Sequence, residues 1–167
     1  MRTLSIEEKL LQEQHEGLQR RTVFETGLLI AQAGPKADAI LRFVPTPEPD
    51  DVGQGALDAD WVLQHAVQVS QMLPGGVIVL GCYVFASGAK LGPLETKLHG
   101  VIGALAKKLP SYLSERHSVL LLLPSDSKKA SCKAFPAGVS KMQPIELKAV
   151  HAPPQVRSPT VLQAREL

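Results

Sequence analysis

The side chains that could do chemistry in this chain are five histidines, two cysteines and a glutamate in an apolar segment. The histidines are spread over separate predicted elements, without the spacing of metal ligands: His15, His65, His99, His117 and His151. Each is therefore better interpreted as a structural or surface histidine than as a ligand. Cys82 lies in the middle of a predicted strand with no neighbouring base, which indicates an inert core thiol rather than a nucleophile.

The stretch PGGVIVLGCYVFASG, residues 74–88, has the character of an active-site strand. It predicts a buried strand that opens into a loop of small residues, which is where many α/β enzymes carry catalytic groups. The loop offers only Tyr83 and Ser87. Ser87 lacks the Gly-x-Ser-x-Gly elbow of serine hydrolases, so the strand predicts a place for chemistry without the groups to perform it.

The composition is that of an ordinary globular protein. The chain has 167 residues, of which 44% are hydrophobic and 20% charged, and its formal net charge is +2. This length favours one domain whose core needs no disulfide or metal. Scattered basic residues and an aromatic content of 4% argue against a nucleic-acid partner. We expect Cys82 and Cys132 to be buried, reduced thiols of an intracellular protein.

Nothing in the sequence predicts a membrane span. The longest apolar run, Val77–Ala86, is far shorter than the roughly 20 residues that a span requires. The charged N-terminus has no apolar signal segment, so we expect the chain as given to be soluble and cytoplasmic. Residues 151–167 are Pro-rich and aperiodic, which predicts a disordered tail or the start of a further C-terminal region.

Hydrophobic periodicity predicts two helices in the first half of the chain. The first covers SIEEKLLQEQHEGLQ, residues 5–19, with Ser5 as its candidate N-cap. The second begins after Asp58 or Asp60 and carries Trp61 in its first turn.

A third helix is predicted from Pro93 to Leu109, where Pro110 stops it. Its apolar stripe is the best in the sequence, but Gly100 and Gly103 lie inside it. Each glycine costs about 1 kcal/mol relative to alanine in a helix. We therefore expect another backbone to pack closely there.

The remaining apolar segments predict two hairpins, one formed by Thr22–Gln32 with Ala39–Val44 and the other by residues 117–135. They also predict one buried strand, Val77–Phe85, and one edge strand, residues 141–150. Pro144 removes a ladder donor and so assigns the last strand to an edge. This order predicts an α/β (α+β) fold, a mixed sheet flanked by amphipathic helices in a single domain over residues 1–150.

Four segments resemble, in order and spacing, the MPN (Jab/JAMM) fold of zinc isopeptidases: FETGLLIAQ, DADWVLQHAVQVSQML, GGVIVLGCYVFASG and VLLLLPSDSKKASCKAF. In active members of that family, two histidines at the end of the third segment and a later aspartate bind zinc. A glutamate on the first segment is the general base for the zinc-bound water. Two imidazoles, one carboxylate and an open water position are what catalytic zinc requires.

This sequence departs from the family at the zinc ligands. The positions that the resemblance assigns to the histidines hold Val84 or Phe85 and Ala86 or Ser87, and the downstream aspartate is missing. Glu25 matches the general base or is a coincidental polar residue at a strand start, and both interpretations stay open. We therefore predict a pseudoenzyme with no catalytic residues, metal or cofactor. The alternatives are a zinc isopeptidase with an unusual ligand set and, last, a domain that binds a small molecule in the vacated crevice.

The segment HAVQVSQMLPGGVIVLG, residues 65–81, carries a closer resemblance. With the flanking segments, over residues 22–150, it resembles the N-terminal domain of the odorant-response-abnormal protein four family. The resemblance implies an inactive MPN-like domain in a longer protein anchored at the cytoplasmic face of the endoplasmic reticulum. It also implies a non-catalytic adaptor that supports receptor trafficking and recruits the cysteine protease specific for the ubiquitin-fold modifier.

Because MPN domains commonly pair through their helices, the resemblance implies a heterodimer with an MPN-like domain of that protease. The first candidate surface is the third helix, at Gly100, Gly103 and Leu109. The second is the helix with Trp61, since Trp is enriched at binding hot spots. The competing interpretation is that both helices simply cover the sheet.

Overall fold

The structure, a computed structural model, describes residues 3–48, 57–108, 117–135 and 141–151. These residues form one mixed sheet and three helices: β1 Thr3–Glu7, α1 Glu8–Arg21, β2 Glu25–Ala33, β3 Ala37–Pro45, α2 Ala59–Met72, β4 Val77–Ala86, α3 Gly88–Lys108, β5 Ser118–Pro124, β6 Ser131–Phe135, β7 Gln143–Pro144 and β8 Leu147–Val150. The strand order is β7-β6-β5-β4-β2-β3-β1-β8. The predicted mixed α+β domain with helices on both faces of its sheet is therefore confirmed.

The two predicted hairpins, β2–β3 and β5–β6, are antiparallel pairs. A tight turn at Gly76, whose φ of 83° favours glycine, leads from α2 into β4. β4 and β5 are parallel neighbours and are connected through α3. Side chains of β4 are buried on both faces of the sheet, which explains why its sequence is a continuous apolar run.

The sheet curls until its two edges approach each other. β7 and β8 stand at opposite ends of the strand order, yet only Ile145 and Glu146 separate them along the chain. A link this short spans about 11 Å at most. The curled sheet encloses an inner cluster that contains Leu4, Phe43 and Leu121, against which α1 packs with Leu18. One helix is therefore enough to cover this face.

Helices α2 and α3 pack against each other on the opposite face of the sheet. They bury an outer cluster that contains Cys82 and Val84 from β4, Val62 from α2 and Leu98 and Ile102 from α3. The apolar stripe predicted for α3 is thus used to cover the sheet. Among the described residues, no helix is both long and apolar enough to cross a membrane.

The start of the chain differs from its prediction. Thr3–Glu7 is strand β1, which pairs in parallel with β3, and α1 begins only at Glu8. Ser5 is therefore wrong as the N-cap, a position held by Glu7 without a side-chain hydrogen bond. Leu4 and Ile6 alternate with polar residues and are buried in the inner cluster. Pairing with a distant strand has overridden the helical pattern.

The third helix and the last strand also differ. α3 begins at Gly88, so Pro93 lies inside the helix instead of starting it. The edge strand predicted for residues 141–150 is two short strands, β7 and β8, at opposite edges of the sheet. Leu109 and the tail at 152–167 lie outside the described residues, and His151 is exposed.

The predicted N-cap of α2 is confirmed at Asp58, whose carboxylate accepts a hydrogen bond from the Trp61 backbone N–H at 3.1 Å. We expect Asp58→Ala to lower the free energy of unfolding by about 1 kcal/mol. Asp60→Ala in the first turn is the control, and removing its interaction with the helix dipole should cost at most about 0.5 kcal/mol. Urea denaturation of both variants checks this, and equal losses would contradict the capping assignment.

Candidate functional site

Glu25 lies beside the end of β4, because β2 and β4 pair antiparallel with Glu25 opposite Phe85. Its carboxylate Oε1 accepts a hydrogen bond from the Tyr83 hydroxyl at 2.7 Å. Its Oε2 is 3.1 Å from the guanidinium of Arg21, at the end of α1. The Glu25 side chain is only 17% exposed. Both carboxylate oxygens are therefore engaged by side chains of this chain.

Sequence reasoning singled out Glu25 but missed Arg21 and the contact with Tyr83. Arg21 ends a helix and Glu25 begins a strand, so no single periodicity connects them. Tyr83 was expected to belong to an open loop, but its ring is buried edge-on against Phe43 in the inner cluster. Antiparallel pairing of β2 with β4 brings Tyr83 and Glu25 together, and that pairing joins residues far apart in sequence.

The positions expected to hold zinc ligands in an active MPN enzyme are core positions here. Val84 contributes to the outer cluster and Phe85 to the inner one, and both side chains are completely buried, as is Ala86. The Ser87 carbonyl accepts hydrogen bonds from the backbone N–H groups at the start of α3. The strand end thus presents apolar side chains and the first turn of a helix.

A cleft of about 170 Å³ opens beside Glu25, between the end of the β2–β3 hairpin and the start of α2. The Trp61 indole N–H donates to the Pro47 carbonyl at 2.6 Å. The Thr46 hydroxyl and Nδ1 of His65 are 2.9 Å apart, and burial lowers the pKa of His65. Thr46, Pro47 and Trp61 line the cleft, and these hydrogen bonds join their polar groups to other groups of the same chain.

Four of the histidines contact separate partners. His15 Nε2 is 2.8 Å from the Pro124 carbonyl, His65 contacts Thr46, His99 packs edge-on against Phe135, and His151 lies near Glu8. Within the described ranges, no group of three His, Cys, Asp or Glu side chains is placed to hold a metal ion.

The two cysteines are free and buried, as predicted. They lie in different clusters on opposite faces of the sheet, Cys82 in the outer cluster and Cys132 in the inner one. Burial raises the pKa of each thiol to about 12. Both thiols therefore stay protonated at neutral pH, which makes them poor nucleophiles.

Three buried, weakly acidic side chains, Tyr83 and the two cysteines, predict that the free energy of unfolding falls at alkaline pH. Burial first, and then the hydrogen bond to Glu25, raise the pKa of Tyr83 above its ordinary value. The folded-state pKa values of Tyr83 and of both cysteines thus exceed the unfolded ones. Their stabilisation is complete below pH about 8, under the unfolded-state pKa values, and is lost as the pH rises further.

We expect the free energy of unfolding to decrease between pH 8 and pH 11 in urea titrations. Tyr83→Phe should lower it by about 1 kcal/mol at neutral pH, because the hydrogen bond to Glu25 is lost. Above pH about 10 the variant should lose stability less steeply than the parent protein, because one buried acid has been removed. Equal slopes for both proteins would contradict the role assigned to Tyr83.

The structure places the predicted partner-binding residues on two helices. Trp61 is half-buried in the first turn of α2, beside the cleft. Gly100 is exposed on α3, and no atom lies within 4 Å of the position a Cβ would take. A Cβ at half-buried Gly103 would lie 3.9 Å from the Phe135 ring, an ordinary contact. Leu109 is outside the described residues. Their role in partner binding stays a prediction.

The family model described as Odorant response abnormal 4-like matches residues 27–160, which is most of the chain. The chain belongs to this family. Among the Odorant response abnormal 4-like relatives is "Protein odr-4 homolog" of Gallus gallus, 29% identical over 127 residues, which cover 67% of this chain and 28% of that protein. The homologue of the same name from Mus musculus is 32% identical over 130 residues, 67% and 29% of the two chains. The chain thus spans less than a third of the length of these relatives.

Among solved structures, the solution structure of Protein DSY2949 from Desulfitobacterium hafniense is similar to this Odorant response abnormal 4-like chain. Its TM-score is 0.52 at 13% sequence identity, over 90% of this chain and 94% of that one. At this identity the likeness shows the fold alone. It supports a small mixed α+β domain and does not extend to the MPN-like assignment.

Proposed function

We propose that this domain is a non-catalytic, MPN-like adaptor that binds the cysteine protease specific for the ubiquitin-fold modifier. Within the longer proteins of the family, it would support recruitment of that protease to the cytoplasmic face of the endoplasmic reticulum and trafficking of membrane receptors. The observation that carries the proposal is that buried apolar side chains occupy the end of β4. Phe85, Val84 and Ala86 are 0% exposed and have no metal-binding atoms in their side chains.

The order of the elements supports the MPN-like part of the proposal. A helix, a hairpin, a second helix, the buried strand β4, a third helix and a second hairpin follow one another in the sequence expected from the resemblance. Glu25 lies on the strand next to the end of β4, where the general base of an active member would be placed. Its carboxylate is bound by Tyr83 and Arg21 instead.

The outward surface of α2 supports the adaptor part. After Asp60, no residue of α2 carries a formal charge, and Gln64, Gln68 and Met72 are exposed. Met72, the last residue of α2, is 75% exposed. Depletion of charge together with exposed methionine is typical of the core of a protein–protein interface.

Affinity purification of the full chain from cells, followed by mass spectrometry, tests the proposal. We expect near-stoichiometric recovery of the modifier-specific protease. Gly100→Trp should reduce this recovery about tenfold or more, an effect of at least about 1.4 kcal/mol, because a bulky side chain prevents close approach to α3. Gly100→Ala is the matched control, since it changes the same exposed position by one methyl group.

Three results would change the proposal. If the folded chain recovers no protease, the partner assignment is contradicted. If Gly100→Trp and Gly100→Ala recover equal amounts, the interface does not include this part of α3. One zinc ion per chain, in protein purified without added metal, would instead support the isopeptidase alternative.

A further inference from the structure

A second groove, of about 300 Å³, runs along α1 and shares no lining residue with the cleft beside Glu25. We call it the α1 groove. One wall is a face of α1 that includes Leu11, His15 and Glu16, and the other includes Lys128 from the β5–β6 turn and Ala149 from β8. Most of the groove surface is apolar. A mostly apolar concavity with a few polar groups is the usual composition of a binding site.

The α1 groove borders β8, which is the last strand in the strand order and pairs with β1. The chain arrives there from the opposite edge, since the Ile145 N–H donates to the Cys132 carbonyl of β6, whereas Leu147 already pairs with β1. In the part of the chain that the structure describes, no strand pairs with the outer edge of β8, and Ala149 of this strand lines the groove. An extended segment can add to such an edge through backbone hydrogen bonds, and every second side chain then faces the groove.

His15 lines the α1 groove and has one unused hydrogen-bond acceptor. The residue is 5% exposed, and its Nε2 is 2.8 Å from the Pro124 carbonyl oxygen. Because a carbonyl oxygen only accepts, Nε2 carries the proton of the neutral ring, and Nδ1 is left as an acceptor. Nδ1 has no hydrogen-bond partner among the described residues. Leaving a buried acceptor unpaired is unfavourable, so this position favours a ligand that donates a hydrogen bond.

Two carboxylates line the same wall as His15, those of Glu8 and Glu16. Glu16 is half-buried, and its Oε1 accepts a hydrogen bond from the Gln12 amide at 3.2 Å, while its Oε2 is 3.9 Å from the exposed guanidinium of Arg20. Glu8 lies near the exposed His151. These contacts are long or exposed to solvent, so each carboxylate is able to bind a further donor.

The lining of the α1 groove carries a net negative charge. It includes two carboxylates, those of Glu8 and Glu16, against one ammonium group, that of Lys128. A cationic ligand is therefore favoured over an anionic one. Because most of the surface is apolar, the ligand that fits must also have an apolar body.

An arginine side chain has both properties. Its aliphatic stem can pack against the apolar surface near Leu11 and Ala149 while its charged end reaches polar groups. A planar guanidinium has five N–H donors, so it can donate to Glu16 and to the adjacent His15 at the same time. Its hydrogen bonds to a carboxylate are stronger than those between neutral groups. Lys128, on the opposite wall, can donate to a backbone carbonyl of the segment that carries the arginine.

We propose that the α1 groove binds an arginine side chain carried on an extended segment of another protein. The segment adds to the outer edge of β8, and Glu16 and His15 bind the guanidinium. This inference goes beyond the proposed adaptor function and does not rest on it.

An NMR titration of the full, isotope-labelled chain tests this proposal. The probe is the blocked peptide acetyl-Val-Thr-Arg-Thr-Val-amide, and its control carries citrulline, the neutral isostere, in place of arginine. We expect the arginine peptide to shift the backbone amide signals of α1 and β8 in a saturable way, with a Kd of about 1 mM or less. The citrulline peptide should bind at least about fivefold more weakly, because the charge-assisted hydrogen bonds are lost.

Substitutions on α1 locate the bound guanidinium. Glu16→Gln should weaken the binding of the arginine peptide about fivefold, to the level of the citrulline peptide. Glu13→Gln is the matched control, since Glu13 is exposed on the same helix outside the groove, and it should leave the affinity unchanged. His15→Gln keeps an N–H donor for the Pro124 carbonyl but removes the Nδ1 acceptor, and it should weaken binding about threefold or more. If His15→Gln does not fold, the comparison of Glu16→Gln with Glu13→Gln decides.

Four results would overturn the proposal. The first is equal binding of the arginine and citrulline peptides, which would make the groove a site for apolar groups alone. The second is the absence of shifts in α1 and β8 at about 10 mM peptide. The third is an equal effect of Glu16→Gln and Glu13→Gln. The fourth is a shift of the same signals when the chain alone is concentrated, which would assign the groove to a second copy of the chain.

Discussion

Gly81→Ala is expected to prevent the domain from folding stably. Gly81 lies in β4 and is paired with Val119 of β5, at the centre of the sheet. A Cβ at this position would lie 1.8 Å from the Val119 carbonyl oxygen, which belongs to the backbone and cannot rotate away. The two strands would have to separate, at a cost of about 3 kcal/mol or more. Such a loss is a large part of the stability of an ordinary domain, which is about 5–15 kcal/mol.

Gly100→Ala is the control for this prediction. The same atom is added, but the position is an exposed helix interior with no neighbour within 4 Å. Alanine should therefore raise the free energy of unfolding by about 0.5–1 kcal/mol. Far-UV circular dichroism and urea denaturation of the two variants measure both effects. Equal stabilities would contradict the close approach of β4 and β5 described for Gly81.

Phe85→His is the second substitution with a large expected effect, a loss of about 3 kcal/mol or more. Phe85 is completely buried in the inner cluster, where its ring packs edge-on against that of His15 at 6.1 Å. An imidazole at this position would make fewer apolar contacts than the phenyl ring. It would also bury ring nitrogens without hydrogen-bond partners, and each such nitrogen costs about 1–3 kcal/mol. A position that the resemblance assigns to a zinc ligand is thus a core position in this domain.

Phe85→Leu keeps the position apolar and should cost clearly less than Phe85→His. Chemical denaturation of both variants gives the difference directly. If Phe85→His were as stable as the parent protein, the end of β4 would have room for a polar ligand. The description of this strand end as part of the core would then be wrong.

The elements that the sequence predicted correctly are those defined by local patterns. The stripe of α2 and its cap at Asp58, the continuous apolar run of β4 and the two hairpins each depend on residues close in sequence. Strand β1 was missed because its partner β3 lies about thirty residues further along the chain. The same limit applies to β7 and β8, which reach opposite edges only because the whole sheet curls.

The candidate site also has features that the sequence predicted and features that it did not. The residue types at the end of β4 and the position of Glu25 were readable from the sequence. The partners of Glu25 were not, because Arg21 belongs to another element and Tyr83 approaches through the pairing of β2 with β4.

The most direct test of the adaptor account is the association of two purified proteins. This chain and the modifier-specific protease are mixed at about 50 μM each and analysed by size-exclusion chromatography with light scattering. The account predicts a 1:1 complex with Gly100→Ala and separate proteins with Gly100→Trp. The account would be contradicted if the parent chain and the protease, both folded, eluted separately, as is expected for Gly100→Trp.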